Sequence, residues 1–206
     1  MVKVKRIISG PIEVNCYIVY DSGSSRCIII DPGEDGQKVI SAVDAGAFKP
    51  ELLINTHGHY DHILSDDEIR ERYNIPLAVG KDEADMISNP VKNGSALFSN
   101  PVSVKVPEIL LSDNEEFQCS FTKFKVLRSP GHTEGGICLL FDEFIMTGDT
   151  LFAGTVGRTD LPGGNYGELL KSLDKIKRLD SALVIYPGHG PHTTIANELR
   201  HNPYLR

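Results

Sequence analysis

The heptapeptide THGHYDH, Thr56–His62, places three histidines and an aspartate directly behind the apolar run ELLIN, Glu51–Asn55. A short apolar run bounded by polar residues reads as a buried strand. Alternate residues of extended chain point the same way, so His57 and His59 can address one point in space. Helical patterning begins at Asp61, so Asp61 and His62 can face a second point close by. Imidazole and carboxylate together suit borderline ions such as zinc or iron. Two or three ligands leave a site incomplete, and the remainder must come from elsewhere in the chain.

The same local context recurs three times. RSPGHTEGG puts His132 behind an expected strand Thr122–Leu127, IMTGDTLF puts Asp149 behind Phe144–Thr147, and VIYPGHG puts His189 behind Ala182–Tyr186. In each case a coordinating residue follows an apolar strand and neighbours glycine, which lets the backbone turn sharply and come close. Four strand ends converging on one edge is how a rigid scaffold holds a site. His192 and His201 lack this context and read as surface residues.

The rest of the chain supplies the scaffold. Val2–Ile8, Asn15–Tyr20 and Cys27–Ile30 read as strands, with a turn at Asp21–Arg26 and DPGEDG closing the third. A helix is expected over Gly36–Ala45, with Gly46 as its terminal glycine. Asp61–Tyr73 reads as one helix burying Ile63, Leu64 and Ile69. Pro76–Val79 reads as a strand and Lys81–Ile87 as a short helix. Ser88–Pro107 has no period and reads as a loop over the site. Strands resume at Ile109–Leu111 and Gly136–Phe141, and helices are expected at Tyr166–Leu179 and Thr193–Arg200. Strands, then strand–loop–helix, occur twice. That rhythm suggests an α/β protein of two packed sheets with helices outside, in one domain spanning residues 1–206.

Composition narrows the function. With 206 residues, 40% hydrophobic and 24% charged, the chain is an ordinary globular protein. No apolar run is long enough to cross a membrane, and the N-terminus reads as strand rather than signal peptide, so a cytoplasmic protein is expected. The formal net charge is −7 and Lys and Arg are scattered. The densest basic cluster, KIKR at Lys175–Arg178, lies on an amphipathic helix, so no nucleic-acid partner is expected. Cys16, Cys27, Cys119 and Cys138 form no CxxC pair and read as buried thiols. Oligomeric state is not legible.

The motifs THGHYDH, SPGHTEGG, TGDTLF and YPGHG, in that order, resemble the metallo-β-lactamase superfamily over nearly the whole chain. The similarity is greatest to glyoxalase II-like hydrolases (hydroxyacylglutathione hydrolases), including short forms with a GRTDLPGG loop like Gly157–Gly164. The tail ELRHNPYL is similar to theirs as well. The resemblance implies an αββα sandwich of two mixed β-sheets flanked by helices. It implies two divalent metal ions, zinc first, with iron or manganese as alternatives. His57, His59 and His132 would bind one, Asp61, His62 and His189 the other. Asp149 would bridge both beside a hydroxide, which Asp61 and Asp149 help to hold.

Departures from the pattern matter too. Where the family has a Lys holding a glutathione carboxylate, nine residues past the bridging Asp, this chain has Arg158. Arg158 can serve as a substrate-binding residue, since guanidinium suits carboxylate, or pair with Asp160 to shape its own loop. A family Tyr is replaced by Pro191. The chain runs only 17 residues past His189, so the longer helical region of full-length glyoxalase II is not expected. The usual GG behind the metal motif is ILSDDE here, which sets Asp66, Asp67 and Glu68 near it. Several β-lactamases carry Cys where this chain has Asp149, so penicillin hydrolysis is not expected. His59 stands where flavodiiron proteins have Glu, which argues against a diiron oxygen reductase. The resemblance thus implies a thioesterase acting on a small-molecule thioester. The alternatives are an iron-dependent persulfide dioxygenase using His57, His132 and Asp149, and a non-catalytic metal-binding domain.

Overall fold

Strand β3 (Arg26–Ile30) shows why two sheets form. Cys27 and Ile29 pack against helices, while Ile28 and Ile30 pack against the opposite sheet. A strand buried on both faces reads as an uninterrupted apolar run, as parallel strands do. The computed structural model describes residues 1–205. Its first sheet has β1 (Val2–Ser9), β2 (Val14–Asp21), β3, β4 (Lys49–Asn55), β5 (Leu77–Gly80) and β6 (Ile109–Leu111), in that spatial order. The first two pairings are antiparallel and the other three parallel.

The second sheet is built from β7 (Glu116–Gln118), β8 (Lys123–Arg128), β9 (Ile137–Leu140), β10 (Phe144–Gly148), β13 (Val184–Pro187) and β14 (Thr193–Thr194). β11 (Leu151–Phe152) and β12 (Thr155–Val156) form a separate hairpin. Tyr17, Val19, Ile54 and Ala78 meet Phe124, Val126, Leu139 and Met146 between the sheets. Helices α1 (Gly36–Ala45), α2 (Tyr60–Ile63), α3 (Asp66–Tyr73), α4 (Ala84–Ser88) and α5 (Ser95–Phe98) follow strands of the first sheet. Of these, α1 and α3 bury Val39, Val43 and Ile69 on its outer face. Helices α6 (Tyr166–Ile176) and α7 (Ile195–His201) cover the second sheet through Leu169, Leu173, Ile176 and Ile195. The αββα sandwich of two mixed sheets is therefore present. No helix among the described residues is long and apolar enough to cross a membrane.

Three local expectations change. The helix expected over Asp61–Tyr73 is two helices, α2 and α3, and Leu64 between them is only half-buried. Gly33 causes the break: its amide donates to the His62 carbonyl at 3.1 Å, and its carbonyl accepts from Ser65 N at 2.9 Å. That loop takes over bonds a continuous helix would make internally. Gly46 does end α1, but in right-handed geometry; the left-handed residue is Ala47 (φ 48°). Gly46 is needed because a Cβ there would lie 2.3 Å from the Phe48 ring. The Ser88–Pro107 loop contains α5. All four cysteines are free and buried, in agreement with the reading as small apolar residues.

The sheet directions place the site. β10 is parallel to β13, and β8 is antiparallel to β9, which is antiparallel to β10. So β8, β10 and β13 run the same way and end on one edge. The end of β4 joins them there, where Ile137 N donates to Thr56 O at 2.9 Å.

Candidate metal centre

Thr56, at the end of β4, is gripped by a buried acid that no sequence motif marks. Asp31, just past β3, accepts from Thr56 N at 2.8 Å and from Thr56 Oγ1 at 2.7 Å. Thr56 Oγ1 in turn lies 3.2 Å from His57 Nδ1. With its own proton committed to Asp31, that hydroxyl accepts from His57 Nδ1–H, which leaves Nε2 as a lone-pair donor. His62 is held near the same acid, its Nδ1 3.2 Å from Asp31 Oδ2 as an ion-pair contact outside hydrogen-bond geometry. His132 Nδ1 is 2.7 Å from the Arg158 carbonyl, and His189 Nδ1 is 3.1 Å from the Ile12 carbonyl. Outer oxygen partners of this kind fix the tautomer and aim of metal-binding imidazoles.

The inward atoms converge. All seven candidate ligands, His57, His59, Asp61, His62, His132, Asp149 and His189, come together. Their coordinating atoms form trios lying within 4.8 Å: His57–His59–His132, Asp61–His62–His189 and His57–His62–Asp149. His59 faces inward through Nδ1, 2.8 Å from His132 Nε2. His189 Nε2 is 3.3 Å from Asp61 Oδ2 and 3.6 Å from Asp149 Oδ2. His62 Nε2 is 3.5 Å from Asp61 Oδ2 and from Asp149 Oδ1. Ligands ~2.0–2.1 Å from a tetrahedral ion stand about 3.3 Å apart, so the imidazole–carboxylate spacings match atoms set around a metal ion, while the two nitrogens of His59 and His132 stand closer. The nitrogens His57 Nε2 and His62 Nε2 and the oxygen Asp149 Oδ1 are buried without a hydrogen-bond partner. Orphaned buried polar atoms of this kind call for a ligand. The residues fit metal ions, and the trios fit two.

The electrostatics are divided. Burial and neighbouring imidazoles hold His57 far below the usual histidine range, and burial with His132 pushes His59 down to about 3. Burial opposes charge on His62 as well, but Asp61, Asp149 and Asp31 outweigh it and raise its pKa to about 10. Against its own burial, Asp61 is pulled low by His62 and His189. Protons and a metal ion would compete for the same atoms, and the acid-rich half is where a cation would gain most.

Above the centre lies a cavity of about 310 Å³, walled by Ile12, Tyr60, Phe98, Leu161 and Pro162. Phe98 and Tyr60 stack at 6.2 Å, so the Ser88–Pro107 loop does border the site. Arg158 lines the cavity too, but Asp160 binds its guanidinium at two points, 2.6 and 2.7 Å, in its own loop. Its carbonyl, not its side chain, touches a ligand. The acids behind the motif stay out of the cluster. Asp66 is fully buried and accepts from Asn55 Nδ2 at 3.2 Å, and burial pushes its carboxyl well above the usual carboxylate range. Asp67 binds Arg70, and Glu68 is exposed beside Gln37. The one signal for Asp31 in the sequence is that it is the lone acid ending an otherwise apolar strand.

These features are those of a known family. Residues 9–189 match the metallo-beta-lactamase superfamily, and the chain belongs to it. A Bacillus subtilis protein named "Probable metallo-hydrolase YqgX" is 32% identical over 98% of this chain and 97% of its own. The hydroxyacylglutathione hydrolase GloC of Haemophilus influenzae is 30% identical over 94% and 93%. Among solved structures, the BLEG-1 B3 metallo-beta-lactamase superposes with a TM-score of 0.95 at 33% identity, covering 98% of this chain and 99% of that one. TTHA1623 in a di-iron-bound form gives 0.87 at 30%, covering 98% and 100%. ETHE1 from Myxococcus xanthus gives 0.80 at 26%, covering 98% and 83%.

Proposed function

We propose that the chain is a dinuclear metal-dependent hydrolase that cleaves a small-molecule thioester, acting as one domain over residues 1–206. The observation that carries this reading is the pair of ligand trios beside Asp149 on the floor of an open, largely apolar cavity. His57, His59 and His132 would hold one ion, Asp61, His62 and His189 the other, with Asp149 between them. Zinc is the expected metal, with iron and manganese as alternatives. When bound, such a pair lowers the pKa of a water and polarises a carbonyl.

The chain's own residues do the rest. Asp61 and Asp149 project oxygens toward the same His189 nitrogen, so both can accept hydrogen bonds from one water and aim its lone pair. Ile12, Tyr60, Phe98, Leu161 and Pro162 keep solvent from the acyl group. Water adds to the acyl carbon, the C–S bond breaks, and the products are an acid and a thiol. A thiol has a pKa of ~8.5, so it can depart as thiolate without prior protonation, and the cavity wall need supply no proton donor to the sulfur. The similarity to GloC supports hydroxyacylglutathione as a substrate. Arg158 is the residue assigned to a substrate carboxylate, and it must leave Asp160 to reach one. The reading involves no nucleic acid or membrane and places the protein in the cytoplasm.

Two solved relatives favour other chemistries. The likeness to ETHE1 supports an iron-dependent persulfide dioxygenase on His57, His132 and Asp149. The likeness to BLEG-1 brings β-lactams back as substrates, because Asp149 alone argues against them. Zinc-loaded and iron-loaded protein should be assayed against S-lactoylglutathione, neutral acyl thioesters, nitrocefin and, with an oxygen electrode, glutathione persulfide. Thioester cleavage that vanishes in Asp149→Ala, with metal content lowered, is the expected result. No turnover of any thioester by the two-metal form sinks the thioesterase reading, and turnover of nitrocefin alone would put a β-lactam hydrolase in its place. Oxygen uptake on persulfide by the iron form alone would install the dioxygenase instead.

A further inference from the structure

Glu83 ends the 3-10 turn Lys81–Glu83 between β5 and α4, and its exposure is 0%. A buried carboxylate is costly unless its oxygens are satisfied. Both are, and by backbone amides from two different ligand loops. Gly58 N, between His57 and His59, donates to Oε2 at 2.8 Å. Gly135 N, in the loop that carries His132, donates to Oε1 at 2.7 Å. One carboxylate therefore joins the two segments whose imidazoles make the first trio.

Steric facts point the same way. A Cβ on Gly58 would lie 2.9 Å from Glu83 Oε2 and 2.8 Å from Met86 Cγ. A Cβ on Gly135 would lie 2.4 Å from the Asp82 carbonyl carbon and 2.6 Å from Glu83 N. Both donors must be glycine for the Glu83 turn to come this close. His59 and His132, ligands close to the two clamped glycines, are the pair whose nitrogens stand 2.8 Å apart.

We propose that Glu83 is a positioning residue for the His57–His59–His132 metal site: by clamping Gly58 and Gly135 it sets the separation of the two loops that supply those ligands. The inference rests on the metal-binding part of the reading above and is independent of the substrate. Outer groups that orient metal ligands change affinity by about 10- to 100-fold when removed.

Glu83→Gln keeps the shape but turns an NH₂ toward one of the two amides. Chelator-buffered zinc titrations of parent and variant, with circular dichroism of the metal-free forms, test the clamp. The expected result is a folded variant in which one of two zinc equivalents is weakened at least tenfold while the other is unchanged. Both equivalents within threefold of the parent would overturn the proposal. Amide exchange in the unsubstituted protein gives a measurement that needs no variant. Gly58 and Gly135 should exchange slowly, at one shared rate, and more slowly still with zinc. Either amide exchanging like an exposed loop amide would equally overturn it. A parent that binds no zinc would instead refute the metal site itself.

Discussion

Replacing Gly188 by alanine should disable the metal centre and leave the fold standing. Gly188 lies between the end of β13 and His189, and its backbone angles lie outside the left-handed region, so alanine fits without torsional strain. The added Cβ is the difficulty. It would fall 2.1 Å from Asp149 Oδ1 and 2.8 Å from His62 Cε1. Asp149 must then retreat by roughly 1 Å, and a misplacement of that size costs about 100-fold in rate. The fold should not suffer in proportion. The Asp149 side chain borders an open cavity and can swing into it, and a Gly-to-Ala change stiffens the unfolded chain, favouring folding by ~0.4–1 kcal/mol. Gly190, on the other side of His189, is the control. Its φ is +75° and a Cβ there meets nothing within 4 Å. Gly190→Ala should therefore cost about 1 kcal/mol of stability through left-handed strain and spare the metals. Zinc content under chelator buffering, kcat/KM on a thioester, and melting of the chelated proteins read all three quantities. Two zinc ions at parent affinity with activity within threefold of the parent in Gly188→Ala would refute this placement of Asp149.

Other outcomes follow from single groups. Burial raises the Glu83 carboxyl to about 6 from an ordinary 4.5, so between those values the folded state binds more protons than the unfolded. Stability from this group is full below about pH 4.5 and falls by up to ~2 kcal/mol as pH rises through 6. Melting curves of the metal-free parent should show this loss, and the Glu83→Gln curves should lack it. Asp160→Ala frees the exposed Arg158 guanidinium, so it should raise kcat/KM for glutathione thioesters over neutral ones while barely moving the melting temperature. Equal effects on both substrates would remove Arg158 from recognition. Burial pushes Cys27 and Cys119 up to about 12 and Cys138 up to about 11, and Cys16 also rises. None should react with a disulfide reagent at pH 8 until the protein unfolds, whereupon four should.

The candidate metal ligands can be picked out in the sequence because each obeys a local rule. His132, Asp149 and His189 each follow an apolar strand beside a glycine, and strand ends are set by patterns a few residues long. The double-sheet architecture follows from the same strands. The groups that aim those ligands are marked weakly, as Asp31 is by the apolar strand before it, or not at all, as with Glu83. Glu83 sits in KDEAD and Asp31 in IDPGED, where acids look like any solvated turn, and only the packed fold buries them. The break between α2 and α3 is likewise made from outside, by Gly33 inserting its amide and carbonyl where the helix would have bonded to itself. β11, β12 and β14 are two residues long, too short for any period to show. Arg158 is the instructive intermediate case. GRTD leaves both roles of its side chain open, and the structure pairs it with Asp160, yet its contact with the centre is through a backbone carbonyl that no side-chain pattern encodes. A ligand set is thus a property of strand ends, whereas its aim belongs to buried acids and backbone atoms brought in from elsewhere. Substitutions at Asp31, Glu83 and Gly188 should therefore discriminate among metal-centre mechanisms more finely than deletion of the ligands themselves, since each moves a ligand without removing it.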